Sequence, residues 1–301
     1  AYWVKKQAFF AVAGIIVMLS IAKLDYHVWK KKSWFAWFYY GLTACLLLIT
    51  LVLGAASHGA KRWIPLGPIR FQPSEFAKIT LILFLAAFIN SKTKEMRTVM
   101  GVFVPFVLSI PLIGMVGVEN LSTCVIMLVI CVVMIFVSTP LKKPFFALMG
   151  IGVAGALVLI KTQGYRMTRI IVWRNPAAYE EGNQTMQGLY AIGSGGLFGK
   201  GLGQSMQKLG FLPEANNDMI FSVICEELGL FGALCVLALF FALLWRFMVV
   251  AINAADLYGS MIVVGVMAHL GIQVFFNVAV ATNTIPNTGI PLPFISYGGS
   301  S

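Results

Sequence analysis

The sequence predicts a polytopic α-helical membrane bundle, and three observations carry that prediction. Hydrophobic residues make up 59% of the 301 and charged residues 11%, with a mean hydropathy of +0.87. Ordinary soluble domains are about 45–50% apolar and about 25% charged. Several apolar runs reach about 18–25 residues, enough for a helix to cross roughly 30 Å of hydrocarbon. The alternating pattern of a barrel, the other structure that satisfies its backbone in lipid, is absent.

The apolar runs give eight candidate spans: 7–23, 33–53, 73–90, 99–116, 121–138, 144–160, 218–246 and 257–281. The loops between them alternate between two sides. One side carries Lys23, Lys30, Lys31, Lys32, Lys92, Lys94, Arg97, Lys142, Lys143 and Arg246; the other carries Lys5, Lys6, Lys61, Arg62 and Arg70. Short cytoplasmic loops concentrate Lys and Arg, so the first side is expected to be cytoplasmic. The long loop 161–217 is left out of that comparison, because long loops cross largely regardless of charge. Segments 54–72, 161–217 and 282–301 then face outward together, and they are the segments richest in Gly, Pro and polar residues. The chain is expected to form one membrane domain over 1–301, cut within external loops at both ends. No cleavable signal peptide is expected at its start, and no internal repeat is evident.

The net charge of +11 is accounted for by the loop clusters and does not point to nucleic acid. Cys45, Cys124, Cys131, Cys225 and Cys235 all fall in apolar runs and read as free packing residues. His27, His58 and His269 are too scattered to form a metal cluster.

The acidic residues are more informative. Of eleven, Glu214, Asp218, Glu226 and Glu227 lie within FLPEANNDMIFSVICEELG, residues 211–229, at the mouth of an apolar run. Carboxylates in a bilayer cost a few kcal/mol on insertion scales, so they are rare there and mark function. Pro213 and Asn216-Asn217 predict a helix start near Asn217 or Asp218. From there Asp218, Ser222 and Glu226 would share a face, with Glu226 about 12 Å deeper. A helix cap or an interhelical polar contact is the plainer alternative for Asp218. For Glu226 and Glu227, structural hydrogen bonding inside the bundle is the reading adopted.

Three other outward stretches could complete a site. In GAKRWIPLGPIRFQPSEFAK, residues 59–78, Ser74 or Gln72 would cap a helix and Glu75 would suit its positive end. Glu75 and Lys78 share a helix face, and Lys61, Arg62 or Lys78 could be offered to an anion; a local ion pair is the plainer alternative. In AIGSGGLFGKGLGQS, residues 191–205, six glycines lie between Gly193 and Gly203. The spacing is not that of a P-loop, since Gly201 follows Lys200. The alternatives are a mobile loop, or a phosphate or sugar clamp using Lys200, Gln204 or backbone amides. The stretch NTIPNTGIPLPFISYGGSS, residues 283–301, cannot be a regular helix and is expected to be a structured loop lining a cavity. Within it Ser296 reads as a structural polar group.

Taken together, GAKRWIPLGPIRFQPSEFAKI, AIGSGGLFGKGLGQS, LPEANNDMIF with its EELG, and PNTGIPLPFISYGGSS resemble the SEDS family of bacterial shape, elongation, division and sporulation proteins, the RodA/FtsW-like polymerases. Four blocks in the family's order extend from residue 59 to 301. Family members have ten spans, so the eight here would be the second to the ninth. The resemblance implies peptidoglycan glycosyltransferase activity on lipid II at the outer face of the bacterial cytoplasmic (inner) membrane, with undecaprenyl pyrophosphate as leaving group. It places the family's essential aspartate on Asp218, with Glu214 as a neighbour. On charge and position, Lys61, Arg62, Glu75, Lys78, Lys200, Gln204 and Glu214 are the candidate substrate-binding residues. A divalent cation, Mg²⁺ or Mn²⁺, is compatible with carboxylate and phosphate oxygens, and Asp218 is its candidate ligand.

A class B penicillin-binding protein and other divisome or elongasome membrane proteins are the implied partners. Two departures stand out: Asn216-Asn217 replace the family's His-Thr, and Gly182-Asn183-Gln184 replaces its GYQ. Two competing functions share the same sequence features, a lipid II flippase or lipid-linked transporter, and a non-catalytic scaffold for a penicillin-binding protein.

Overall fold

The computed structural model describes residues 2–27, 33–53, 55–57, 60–66, 69–161 and 164–297. The fold is a helical bundle, as expected. Its ten helices among the described residues are α1 Tyr2–Ala22, α2 Ser33–Leu53, α3 Pro73–Ser91, α4 Val99–Glu119, α5 Leu121–Ser138, α6 Lys143–Lys161, α7 Gly164–Arg174, α8 Asn183–Gly195, α9 Ile220–Ile252 and α10 Leu257–Ala281. A helix stands at each of the eight expected spans. Among the described residues six are long and apolar enough to cross a membrane: Trp34–Val52, Pro73–Ser91, Val99–Val118, Leu121–Ser138, Ile220–Ile252 and Leu257–Ala281. Gln7–Ala22 and Lys143–Gly155 are shorter apolar segments. The chain is a multi-pass membrane protein.

Internal contacts divide the chain into two compact units. The first comprises Ala1–Val28, Thr168–Ala242 and Gln273–Ser301; the second comprises Trp29–Met167 and Leu243–Ile272.

In the second unit α2, α3, α4, α5 and α6 pack on one another. The core contains Leu81, Phe84, Leu85 and Ile89 of α3 and Ile126, Met127, Ile130 and Met134 of α5. Helix starts follow local chemistry. Thr98 Oγ1 accepts from Gly101 N at the head of α4, and Asn120 Oδ1 accepts from Thr123 N at the head of α5. At α3 the expected cap is not made: Gln72 occupies the cap position, but its side chain donates to Ser74 Oγ. Pro73 opens the helix and has no N–H to satisfy.

Segment 54–72, read from the sequence only as an outward-facing connection, holds a small antiparallel sheet. Its strands are β1 Ala55–Ser57, β2 Ala60–Leu66 and β3 Ile69–Phe71, with Ala56 opposite Lys61 and Ile64 opposite Phe71. Trp63, Ile64, Ile69 and Phe71 favour strands, and Gly67-Pro68 separates the second and third.

The first unit carries α1, most of α7, α8, residues 220–242 of α9 and residues 273–281 of α10. Helices α7 and α8 lie inside the segment read as a long loop; at 11 and 13 residues both are too short to span. Helix α9 is broken at Gly229, which has φ 68° and ψ −169°. A break frees the carbonyls of residues 226 and 227 and the amides of 230 and 231, and in lipid each needs a partner. The glycine-rich segment supplies all four. Lys200 N and Gly201 N donate to Glu226 O and Glu227 O at 2.9 and 3.0 Å, while Leu230 N and Phe231 N donate to Gly196 O and Leu197 O at 2.9 and 3.0 Å. The approach is so close that a Cβ on Gly199 would overlap Glu227 O, and one on Gly229 would overlap Gly199 N. Both glycines also have positive φ. The glycines therefore fit a docked segment rather than a free loop.

Candidate active site

Asp218 lies in the turn that runs from Phe211 into α9, two residues ahead of the first helical residue. The expected face shared with Ser222 and Glu226 therefore does not start at Asp218. Glu214, held at φ 53°, accepts from Asn217 N and Met219 N through its carbonyl. The turn is fixed from below by apolar packing of Leu212, Ala215, Met219, Val223 and Val280.

It is fixed from the side by the C-terminal stretch 282–297, which is irregular as expected. Three successive carbonyls of the turn are each occupied. Asn216 O accepts from Tyr297 N at 2.7 Å, Asn217 O from Ser296 Oγ at 2.6 Å, and Asp218 O from Asn277 Nδ2 at 2.8 Å. Ser296 Oγ also accepts from Leu292 N, and Asn277 Nδ2 also donates to Ile290 O. Ser296 and Asn277 are fully buried. Ser296 thus stands where a structural polar group would.

Only 7% of Asp218 is exposed. Its Oδ1 accepts from Gln184 Nε2 at 3.3 Å, and Gln184 Oε1 accepts from Asn287 Nδ2 at 2.9 Å. Its Oδ2 faces Gly289, where an added Cβ would stand 3.8 Å away. Burial pushes the carboxyl up to about 6, and the charge of Glu214 adds to that; Gln184 and Arg169 pull the other way. Arg169 comes from α7 and donates to Asn287 O at 3.1 Å, while Trp173 donates to Asn283 O at 3.0 Å. The site is a buried, oriented carboxylate in the turn that leads into a membrane helix.

The structure places the other sequence-derived residues as follows. Lys200 pairs with Glu226 at 2.8 Å in the first unit. Glu226 is fully buried and also accepts from Ser205 Oγ at 2.5 Å, Met206 N at 3.2 Å and Gln207 N at 3.4 Å. Glu227 pairs with Lys208. Lys200 is thus engaged with Glu226, where the sequence reading offered it to substrate. Gln204 is exposed on the same segment. Glu75 and Lys78 belong to the second unit, where they pair at 2.8 Å with the lysine almost fully buried. The side chains of Lys61 and Arg62 lie outside the described residues; their backbone forms β2. Among the described residues no group of three or more His, Cys, Asp or Glu converges as a metal site.

Sequence reasoning missed Arg169, Asn277 and Asn287, and it treated Gln184 only as the neighbour of a departure. Asn277 had a readable signal, a polar residue inside an apolar run. The other three come together only when α7, the head of α8 and the C-terminal stretch meet. The departure at Asn216-Asn217 is accommodated because the contacts there use main-chain carbonyls.

The profile of the FtsW/RodA/SpoVE family, described as "Cell cycle protein", matches residues 1–301. Stage V sporulation protein E of Bacillus subtilis (strain 168) is 42% identical over 311 residues, covering 100% of this chain and 83% of that protein. A probable peptidoglycan glycosyltransferase FtsW of Geobacter sp. (strain M18) is 36% identical, again over 100% of this chain and 83% of the relative. A solved peptidoglycan synthase complex, described as coordinating polymerization and crosslinking, contains a chain that superposes with a TM-score of 0.80 at 27% identity, covering 100% of this chain and 85% of that one. The rod shape determining protein RodA of Thermus thermophilus superposes with a TM-score of 0.71 at 28% identity, covering 100% and 82%. With the bundle, the broken helix and the clamped Asp218 turn in place, the chain belongs to the FtsW/RodA/SpoVE family of cell cycle proteins.

Proposed function

We propose that this chain is a peptidoglycan glycosyltransferase that polymerises lipid II. The observation that carries the reading is the buried, oriented Asp218 carboxylate, with Gln184 on one oxygen and the other oxygen facing Gly289. Membership of a family whose relatives include named peptidoglycan glycosyltransferases supports it. The 4-hydroxyl of an acceptor GlcNAc attacks the anomeric carbon of a donor MurNAc. Asp218 takes the hydroxyl proton as the new C–O bond forms, and the bond to undecaprenyl pyrophosphate breaks. A base has to lose its proton before it can accept one, and a carboxyl near 6 is mostly ionised at neutral pH yet more basic than an ordinary aspartate.

The loop charge asymmetry supports a cytoplasmic-membrane location with Asp218 on the outer side. Asp218 and Glu214 could hold a divalent cation together with substrate oxygens, since Mg²⁺ is commonly bound by one or two carboxylates plus phosphates. Such an ion would offset charge on the departing pyrophosphate. The similar chain in a solved synthase complex supports a transpeptidase partner of the class B penicillin-binding type.

The test is polymerisation of purified lipid II by wild type and Asp218→Ala side by side. Wild type should build glycan strands and the variant none, with the same gel-filtration profile and a Tm no lower than that of wild type. Wild type that moves lipid II across vesicles without making glycan would overturn the reading in favour of transport. An active Asp218→Ala would remove Asp218 from the mechanism.

A further inference from the structure

The glycine-rich segment between α8 and the Asp218 turn carries large apolar side chains that are mostly exposed. Leu197 is 65% exposed, Phe198 81%, Leu202 77% and Met206 56%. In water these would be a poor choice for a loop. Their level along α9 explains them. Between Glu227 and Arg246 the helix has no charged residue, giving an 18-residue stretch, Leu228–Trp245. At 1.5 Å per residue it covers about 27 Å, close to the hydrocarbon thickness of a bilayer. Gly196 and Leu197 are hydrogen-bonded to Leu230 and Phe231, which lie in the first turn of that stretch. With the hydrocarbon edge taken at Leu228, where the uncharged stretch begins, the segment is tied to the helix about 4 Å inside it.

We infer that segment 196–208 is a lipid-contacting loop, with Leu197, Phe198, Leu202 and Met206 set among acyl chains at the Asp218 end of α9. Two further observations favour lipid as the occupant. The adjoining face of α9 is also open and apolar, with Leu230, Phe231 and Leu234 exposed. The segment's two lysines are both ion-paired, Lys200 to Glu226 and Lys208 to Glu227, which lowers the cost of holding them at the edge of the lipid. The loop would hold the Asp218 turn at a set height against the membrane surface. This inference does not depend on the enzymatic reading, because it concerns location alone.

A lipid-soluble diazirine photolysed with the native protein in proteoliposomes should label the peptides carrying Leu197–Met206, as it labels the α9 peptide carrying Leu234. A water-soluble diazirine should label them several-fold less. The same question can be read by nitroxides at Phe198→Cys and Leu202→Cys, in a background with Cys45, Cys124, Cys131, Cys225 and Cys235 replaced. Oxygen should collide with these labels more often than a nickel chelate, as at Leu234→Cys and opposite to Glu181→Cys. Preferential nickel access would put the loop in water and overturn the inference. Protection from both reagents would show that a protein surface covers it and would also overturn the inference. If the cysteine-free background does not fold, photolabelling of the native chain decides.

Discussion

At the scale of single residues, the Asp218 carboxylate has two oxygens in different settings. Oδ1 is tied through Gln184 to Asn287, while Oδ2 faces Gly289. If Oδ2 is the base, polymerisation should rise as pH increases through about 6, because only the ionised carboxyl accepts a proton. Gln184→Ala removes a donor that favours the charged form, so the acidic limb should move to higher pH and the rate should fall most below pH 7. A pH–rate profile of both proteins checks this. Stability should move the other way from activity. Folding raises this carboxyl from 3.8 to about 6. The unfolded chain therefore gives up the proton first, and stability present below about pH 4 is lost as pH rises to about 6. That loss is roughly 3 kcal/mol for a shift of about two units. Asp218→Asn should then be inactive but more stable than wild type at pH 7.5, with the difference shrinking towards pH 4. Thermal unfolding in detergent at both pH values measures it.

At the scale of elements, the break in α9 and the glycine-rich segment make one unit. Two helical hydrogen bonds are given up at Gly229, and four bonds to residues 196–201 replace their donors and acceptors. Gly229→Ala should destabilise the protein severely, because the added Cβ meets backbone and the residue must hold positive φ. Ala at an unstrained helical site such as Gly155, where nothing lies within 4 Å, should be neutral or slightly stabilising. Comparing their Tm values separates backbone strain from general intolerance. Glu226 works with this arrangement, since its carboxylate takes Lys200, Ser205 and two amides. Glu226→Ala should destabilise by about 1–3 kcal/mol, because Ser205 Oγ, Met206 N and Gln207 N lose their acceptor while the half-exposed Lys200 can turn to solvent. Combining it with Lys200→Ala should cost less than the sum of the two, since the lysine's partner is then already gone. Denaturation of the four proteins in one detergent gives the coupling.

At the scale of the whole molecule, membrane crossing and family membership are settled, and the open questions are partner and cation. Adding a class B penicillin-binding protein to the purified chain should raise glycan output several-fold. Chelation should suppress polymerisation, with Mg²⁺ or Mn²⁺ restoring it; full activity after exhaustive chelation would remove the cation from the mechanism. Both are read in the lipid II assay. Much of this scale was open to the sequence. Hydropathy put helices at all eight expected places. The segment 161–217 was read less well. Its helices α7 and α8 are short, and α8 is rich in Gly and Gln, so neither has the long apolar run that marks a span.

The sequence by itself determined what depends on neighbours along the chain: the membrane class, the span positions, the helix breakers, and Asp218 as the acidic residue at a helix mouth. Those properties follow from local hydropathy, charge and backbone chemistry. Only the tertiary structure decided what Asp218 touches, why the glycines are needed, and that Lys200 pairs with Glu226. Those contacts bring together residues far apart in the chain, 26 positions for Lys200 with Glu226 and 103 for Asn287 with Gln184. Such pairs form because buried carbonyls, amides and carboxylates must find partners where water is excluded, and only the folded chain shows which ones they find.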